Sequence, residues 1–389
     1  MNKKKVLLSV AVTSMIAATG AVLAINGGLK SSSVFATNGE VWYHYAEIAP
    51  TSTRHGSKEF WASSTDGCAT HQFVSPGVAS IDRNFLDNEY FYSLTNEDDR
   101  YIAPTSSSPI INGNTVTYGI YPQTVLTDEE LVSNLNSYAA EQTNGWFLYR
   151  GEYYAKVSAK PYNYGLKFDN GTTIVWGTTY WFKCEPITWN VLSDNDGEYY
   201  ILSSVLLDAH CYYDYQSDGY KDDEYRTISG ETVYHNNYEY SDIRTWLNSD
   251  FFDSAFALGK SHIQTTTVNN SASTTDLGMN SYACKNTQDK VFLPSYKDYI
   301  NSSYGFSTST SSTNKRYCRT TDWARARGAD YYTYSGSYQY NCDYWTRSPF
   351  SEESGGVWSV GSDGTMNSFY HFVYEKSVGV RPAISIKIA

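Results

Sequence analysis

Positive charge is scarce in this chain. Lys and Arg number 29 against 41 Asp and Glu, and the formal net charge is -12 at pH 7. Residues 1–36 hold four of the lysines and no acid, so the rest carries 25 − 41 = −16. Binding to phosphate backbones or to anionic membranes needs a basic patch. The charge balance argues against nucleic acid and anionic membrane surfaces as partners and favours neutral ligands or cations.

Catalytic motifs are also missing. The sequence has no glycine-rich phosphate loop, no nucleophile elbow and no histidine pair at zinc-protease spacing. Glu352 and Glu353 are adjacent carboxylates in a loop, whereas a retaining glycosidase needs two carboxyls about 5 Å apart across the substrate bond. The residues by themselves predict no catalytic site.

Cysteine is sparse, and the spacing does not reveal how the six residues pair. They are too few for a disulfide-held scaffold. Two predictions therefore stay open: full pairing, or a mixture of buried thiols with one or two disulfides. The six are Cys68, Cys184, Cys211, Cys284, Cys318 and Cys342.

Metal ligands occur in few useful patterns. The acidic segment Asp194–Glu198 resembles the start of a calcium loop, but Asp-Gly is also a hairpin-turn signal. Near the N-terminus, His44, Cys68 and His71 offer three zinc ligands without a fourth. We predict no cofactor, with calcium at the acidic turn left open.

Long apolar runs are confined to the first residues. Lys3–Lys5 precede the apolar run Val6–Ile25, and Val34–Ala36 provides a small-residue cleavage site. Residues 1–36 therefore predict a signal peptide and a secreted or cell-surface protein. Because the run is nearly long enough to span a bilayer, an uncleaved N-terminal anchor is the alternative.

Tyrosine, in contrast, is abundant, with 37 copies. Its ring supplies a large apolar face and a polar tip at low entropic cost, and with Ser, Gly and Asn it dominates antibody loops. The segment 331–341 has that composition, so we predict a ligand-binding loop there, joined by a Trp downstream. Even spacing equally fits rings that alternate along a strand and cover a sheet. The predicted binding residues are Tyr332, Tyr334, Tyr338, Tyr340 and Trp358.

The rest of the chain indicates a small and a large domain. Residues 37–103 are predicted as a small β-rich module, residues 104–112 as a Pro- and Ser-rich linker, and residues 113–389 as the large domain. The segments Thr115–Ile120 and Ala383–Ile388 alternate apolar and polar residues as half-buried strands do.

Helices and strands intermix between these two segments. A broad apolar stripe from Ser241 to Phe256 predicts a helix with its N-cap at Ser241, and shorter helices are expected from Ser295 and Thr321. Residues 187–202 read as a hairpin around an Asp-Gly turn. No βαβ rhythm appears, so the predicted class is α+β.

The C-terminal part carries a resemblance. Trp345–Pro349 (W-x-R-S-P) is followed some thirty residues later by Gly379–Ala383 (G-V-R-P-A). This layout resembles the C-terminal signature of a secreted bacterial family of domains of unknown function, related to the C-type-lectin-like fold of the formylglycine-generating (sulfatase-modifying) enzymes. Trp42–Tyr45 resembles small modules of Gram-positive surface proteins. The resemblance implies a C-type-lectin-like domain with paired terminal strands.

Four residues are assigned to structure. Arg347 and Arg381 stand within the two motifs, and their apolar and turn neighbours predict partial burial with Asp289 or Glu185 as a carboxylate partner. Trp246 and Trp345 complete the structural set.

The sequence therefore predicts an exported binding protein that recognises a glycan or an extracellular protein through the Tyr-rich loop. One alternative is a copper-dependent oxidase of the formylglycine-generating type, in which two cysteines bind copper(I). Cys318 and Cys342 are the last two cysteines, 24 residues apart and outside any matching motif. The other alternative is a structural domain that displays or spaces its neighbours.

Overall fold

A computed structural model describes the backbone of five N-terminal strands and the side chains of most later residues. The side chains are described for residues 108–142, 144–149, 152–215, 225–275, 281–313, 315–333, 336–366 and 370–388, apart from position 140. The predicted signal peptide and the side chains of His44, Cys68 and His71 lie outside the described residues.

Two compact units divide the chain: residues 1–107 with 126–155, and residues 108–125 with 156–389. The domain boundaries derived from the sequence stay a prediction. The first strands in chain order are β1 Val41–Glu47, β2 Glu59–Ser64, β3 Gln72–Phe73, β4 Phe91–Ser93, β5 Tyr101–Ile102, β6 Ile110–Asn112, β7 Thr115–Val125, β8 Ala140–Glu141, β9 Phe147–Tyr149 and β10 Glu152–Ser158.

The first unit contains an antiparallel sheet in the order β3-β2-β1-β4, with β5 also paired to β1. Its helix α1 spans Glu129–Tyr138. The N-cap is Asp128, whose carboxylate accepts the Leu131 N–H at 3.0 Å. Its negative charge also neutralises the positive end of the helix dipole.

The second unit holds most strands of the chain. They are β11 Thr179–Asn195, β12 Glu198–Ser203, β13 Asp208–Ala209, β14 Tyr225–Ile228, β15 Glu231–Tyr234, β16 Thr266–Val268, β17 Thr287–Asp289, β18 Val291–Phe292, β19 Tyr344–Pro349, β20 Gly356–Val360, β21 Tyr370–Phe372, β22 Gly379–Val380 and β23 Ala383–Lys387.

A large sheet of this unit runs β18-β23-β12-β11, and β11 also pairs with β7, which pairs with β6. The predicted alternation is confirmed, since Val116 and Ile386 are fully buried. The terminal strands β7 and β23 share this sheet but do not pair with each other, which corrects the sequence-based prediction. The hairpin β11–β12 lies between them because both of its outer edges form hydrogen-bonded ladders.

A second sheet runs β13-β22-β19-β20-β21 and includes the first C-terminal motif and the first two residues of the second, Gly379–Val380. Strands β19 and β20 are buried along their whole length, as expected for strands covered on both faces. Strands dominate and helices are few, so the predicted α+β class is confirmed.

The helix predicted from Ser241 is present and interrupted. Ser241 caps it by accepting the Arg244 N–H at 3.3 Å. A π-helical turn, Leu247–Phe251, separates helices α2 (Asp242–Trp246) and α3 (Phe252–Ala255). Such turns insert one extra residue per turn and re-aim the following side chains.

Helix α4 (Asp322–Ala326) starts at the predicted cap, Thr321, and the chain turns at Gly328, whose φ is +119°. The helix expected from Ser295 consists instead of short 3-10 turns, Asp298–Ile300 and Ser302–Tyr304; a third is Ala272–Thr274. None of the helices in the described segments has the length and apolarity needed to cross a bilayer.

Candidate functional site

The Tyr-rich loop is a hairpin. We call residues 330–343 the Tyr hairpin, described at 330–333 and 336–343. Tyr331 and Cys342 form a β-bridge, Tyr332 N–H donates to the Asn341 carbonyl at 2.7 Å, and Tyr340 N–H donates to the Tyr332 carbonyl at 3.0 Å. These bonds fix which tyrosines face outward.

Two of the predicted binding tyrosines lie together. Tyr332 is 40% exposed, and its ring meets half-buried Tyr338 edge-on at 6.3 Å. Tyr338 in turn meets the ring of Tyr317 at 5.5 Å. Tyr334 lies outside the described residues. The hairpin thus offers an exposed ring supported by two others.

Tyr340 stabilises the hairpin through contacts of its ring and its backbone. Its φ is +69°, a conformation that a side chain rarely adopts. The Arg325 and Arg319 guanidiniums lie 4.3 Å and 4.7 Å from its ring centre, and the Tyr331 ring lies at 5.3 Å. Its carbonyl accepts both the N–H and the hydroxyl of Thr320 at 2.9 Å. Because its ring and backbone are so engaged, Tyr340 anchors the hairpin.

A buried arginine links the hairpin to a second loop. The Arg325 side chain is fully buried and pairs with Asp169 and, at 3.2 Å, with Asp322. It also donates to the Lys167 carbonyl at 3.1 Å. Arg319 reaches the same Asp169 carboxylate at 2.7 Å. A buried guanidinium with this many acceptors holds the loops in one geometry.

The pKa values reflect this network. Burial acts to raise the pKa of Asp169, but hydrogen bonds and charges from Arg319 and Arg325 lower it overall. For Asp322 burial prevails and raises the pKa, although backbone N–H groups of Asp169 and Val125 bond its carboxylate.

The second loop comprises residues 160–178, which we call the aromatic loop. Lys167 and Thr173 form a β-bridge, and Gly171 turns the chain with a φ of +85°. The Tyr331 hydroxyl donates to the Lys167 carbonyl at 3.1 Å, which ties this loop to the Tyr hairpin. Its buried side chains are Pro161, Leu166, Phe168 and Ile174.

The aromatic loop carries the two most exposed aromatic rings of the described residues, Tyr164 and Trp176. Tyr164 is 100% exposed, Trp176 63% and Tyr162 52%, and Val175 beside Trp176 is 53% exposed. None of these residues was among the binding residues predicted from the sequence. A signal was present, since the turn Asn170-Gly171 is flanked on both sides by aromatic and β-branched residues.

Trp358 does not join this surface. It lies on β20 with 7% exposure, and its ring packs against Tyr296 at 5.1 Å and Phe350 at 5.0 Å. The predicted role as a ligand-stacking residue is corrected, because every residue of β20 is covered by its sheet neighbours.

Trp345 and Trp246 meet at one histidine. Trp345 is fully buried and its indole donates to the His210 carbonyl at 2.7 Å. Half-buried Trp246 stacks on the His210 ring at 4.9 Å. These contacts join helix α2 to β19.

The two motif arginines are buried, but with other partners than predicted. Arg347 pairs with Asp298 at 3.0 Å and donates to the carbonyls of Leu293 and Asn269. Asp289 instead pairs with Arg244, and Glu185 accepts the Thr124 hydroxyl. Sequence neighbours indicate burial, whereas the partners come from distant segments.

A histidine clamp lies at the base of the Tyr hairpin. Nε2 of His371 lies 3.1 Å from Asp343 and Nδ1 lies 2.9 Å from Glu375. Burial acts to lower the pKa of His371, but these hydrogen bonds prevail and raise the pKa to about 9. Burial and the Asp343 charge raise the pKa of Asp330 to about 6, against the opposing His371 charge.

Cysteine chemistry is suppressed in the described chain. Cys184, Cys211, Cys284, Cys318 and Cys342 are free thiols. The Cys318 and Cys342 side chains donate to backbone carbonyls, and burial raises the pKa of both. Thiols that stay protonated are poor nucleophiles and poor metal ligands.

The described residues hold no group of three or more His, Cys, Asp or Glu placed to bind a metal. At the acidic segment, Gly197 N–H donates to the Asp194 carboxylate at 3.2 Å within the β11–β12 turn.

Residues 198–388 match a family described as Domain of unknown function (DUF6273). The matched region includes the Tyr hairpin and the histidine clamp, while the aromatic loop precedes it. Comparisons with curated proteins and with solved structures gave no match. The fold is therefore α+β, and residues 198–388 match a domain of unknown function.

Proposed function

We propose that this chain is an exported or cell-surface binding protein that recognises a glycan, with a protein as the other ligand class, through the aromatic loop and the Tyr hairpin. The observation that carries the proposal is the exposure of Tyr164, Trp176 and Tyr332 on two loops held together by the buried Arg325. Rings displayed on fixed loops bind with little loss of conformational entropy.

The chemistry of the surface favours sugars. The C–H-rich faces of sugar rings are apolar and stack on flat Tyr and Trp faces. The formal net charge of -12 disfavours anionic ligands, and a neutral glycan meets no such repulsion.

The C-type-lectin-like architecture belongs to the same proposal. It is supported by the presence of β7 and β23 in one sheet and by the α+β class. In this chain such an architecture would contain two strands, β11 and β12, between the terminal strands.

A glycan array with the full chain tests the proposal. We expect binding to at least one neutral glycan and a loss of about tenfold or more in affinity for the Trp176→Ala and Tyr332→Ala/Tyr338→Ala variants. Tyr225→Ala is the matched control, because Tyr225 is 49% exposed on β14 and contacts Tyr234 instead of either loop.

Two results contradict the proposal. Equal binding of the loop variants and the control would remove these loops from the site. Absence of binding both to every neutral glycan and to protein ligands would leave the structural or display role.

A copper-dependent oxidase of the formylglycine-generating type is the second candidate. It is favoured by one observation: Cys342 N–H donates to the Cys318 carbonyl at 3.3 Å, which brings the two cysteines together. The raised thiol pKa values oppose it. Stoichiometric copper(I) binding that disappears in Cys318→Ser would favour the oxidase over the binding protein.

A further inference from the structure

The two legs of the Tyr hairpin are tied to the segment that follows β21. Asp330 N–H donates to the Ser377 carbonyl at 2.9 Å, and Gly379 N–H donates to the Asp343 carbonyl at 2.8 Å. The Asp343 carboxylate also accepts the Ser362 N–H at 2.6 Å. The base of the hairpin is therefore fixed through Asp343.

His371 completes this attachment from β21. Its ring lies between the carboxylates of Asp343 and Glu375, and both ring nitrogens are within hydrogen-bond distance. Glu375 in turn accepts the Phe372 N–H at 2.8 Å through its other oxygen. Only the doubly protonated ring donates to both carboxylates at once, so the bridge needs the imidazolium.

The charges that face the ring are mostly negative. Asp343 adjoins β19, Glu375 follows β21, and Asp330 begins the hairpin. The protonated Cys342 thiol lies beside the two aspartates, and the Trp345 ring meets His371 edge-on at 6.0 Å. Lys376 is engaged by Asp214 at 2.7 Å. When His371 loses its proton, the neutral ring can donate to only one of its two carboxylates, so one hydrogen bond of the bridge is lost. The carboxylates of Asp330, Asp343 and Glu375 then no longer face a positive charge on the ring.

We propose that His371 is a proton-dependent clamp that holds the base of the Tyr hairpin in the geometry described above and releases it when the imidazole becomes neutral. The sign follows from linkage. The folded pKa of about 9 lies above the ordinary value of about 6.5, so the stabilisation is complete below pH 6.5 and is lost as pH rises through 9. Control of ligand affinity by this clamp rests on the proposed binding function, whereas the clamp itself does not.

NMR titration of the full chain between pH 7 and 10 tests the clamp. We expect the His371 ring resonance, assigned by its absence in His371→Gln, to titrate with a midpoint near 9. The methyl resonances of Thr333, in the hairpin, and of Thr320, which bonds the Tyr340 carbonyl, should move with the same midpoint. The pKa of Asp330, raised to about 6, lies below this range.

Variants separate the clamp from general pH effects. His371→Arg keeps a permanent charge that can bridge two carboxylates, and its Thr333 and Thr320 methyls should stay in place up to pH 10. His371→Gln should show the high-pH positions already at pH 7. His262→Gln, whose ring lies beside Lys387, is the control and should behave as the wild type.

Two outcomes overturn the inference. A His371 midpoint near 6.5 would show that the ring is not bridged, and methyl positions that ignore the His371 titration would show that the clamp does not reach the hairpin. Once the array supplies a glycan, about tenfold weaker binding at pH 10 than at pH 7 in the wild type, absent in His371→Arg, would establish control of affinity. If the Thr333 and Thr320 methyl resonances follow the His371 titration but no glycan binds, the proposed binding function is rejected and the clamp is retained.

Discussion

Arg381 shows how a buried charge is held in this protein. It is 4% exposed, and it donates to the Ser203 carbonyl at 2.9 Å, the Arg316 carbonyl at 3.2 Å and the Tyr344 hydroxyl at 3.1 Å. Arg316, which is fully buried, likewise donates to carbonyls, including that of Gly364 at 2.7 Å. Backbone dipoles thus replace the carboxylate that the sequence analysis expected.

Replacing Arg381 by Ala removes its hydrogen bonds to these buried acceptors, of which the Arg316 carbonyl keeps the Tyr344 hydroxyl as a donor. We expect a cost of about 2–4 kcal/mol in the free energy of unfolding, because each unsatisfied buried polar group costs about 1–3 kcal/mol. Thermal unfolding should show a Tm lower by several degrees.

Lys285→Ala is the control for Arg381→Ala. Lys285 is 64% exposed and pairs with Glu231 at the surface, so its loss should change stability by no more than about 0.5 kcal/mol. Equal Tm values for the two variants would contradict a structural role of Arg381.

At the scale of elements, two hairpins provide a matched comparison. The β11–β12 turn has φ values of +53° at Asp196 and +83° at Gly197, and the β14–β15 turn has +52° at Ser229 and +84° at Gly230. Both turns need glycine for the same reason. They differ in surroundings: a Cβ on Gly197 would lie 2.8 Å from the Ile388 carbonyl, while a Cβ on Gly230 meets nothing within 4 Å.

Alanine substitutions at Gly230 and Gly197 distinguish the free-energy cost of the left-handed turn conformation from the cost of the close contact with Ile388. Gly230→Ala should cost about 1 kcal/mol for the left-handed conformation alone. Gly197→Ala should cost about 1–2 kcal/mol more, because the chain after β23 must shift. Chemical denaturation measures both, and equal losses would show that the Ile388 contact contributes nothing.

The two loops of the proposed binding surface were predicted in part. The composition of residues 331–341 indicated a contact loop, and Tyr332 is exposed there as expected. Tyr340 instead faces two arginines, because the hairpin register and its positive φ turn the ring inward. The aromatic loop was not predicted as part of the proposed surface, since its sequence indicates a turn but not the hydrogen bond between Arg325 and the Lys167 carbonyl that ties it to the Tyr hairpin.

For the whole molecule, the family match and the folding unit differ. Residues 198–388 include β12, β18 and β23 but omit β7 and β11 of the same sheet. The fully buried Trp189 of β11 stacks on Phe256 at 6.1 Å, inside the matched region.

A fragment of residues 198–388 should therefore not fold cooperatively. Its β12 edge and the core around Phe256 would be open to solvent, which favours aggregation. Circular dichroism should show no sharp thermal transition for this fragment and a sharp one for the full chain.

A longer fragment is the matched control. Residues 108–389 restore β7 and β11 and should regain the transition. A cooperative transition of the 198–388 fragment by itself would contradict the inferred folding unit.

The sequence by itself determined the α+β class, the terminal strands, the Ser241 and Thr321 caps and the Asp-Gly turn, because these depend on alternation and on neighbours within a few residues. Only the tertiary structure decided that β11 and β12 separate the terminal strands, that Trp358 is buried, and that His371 lies between Asp343 and Glu375. Those features join residues far apart in the chain, and no local pattern encodes which distant group a side chain will meet.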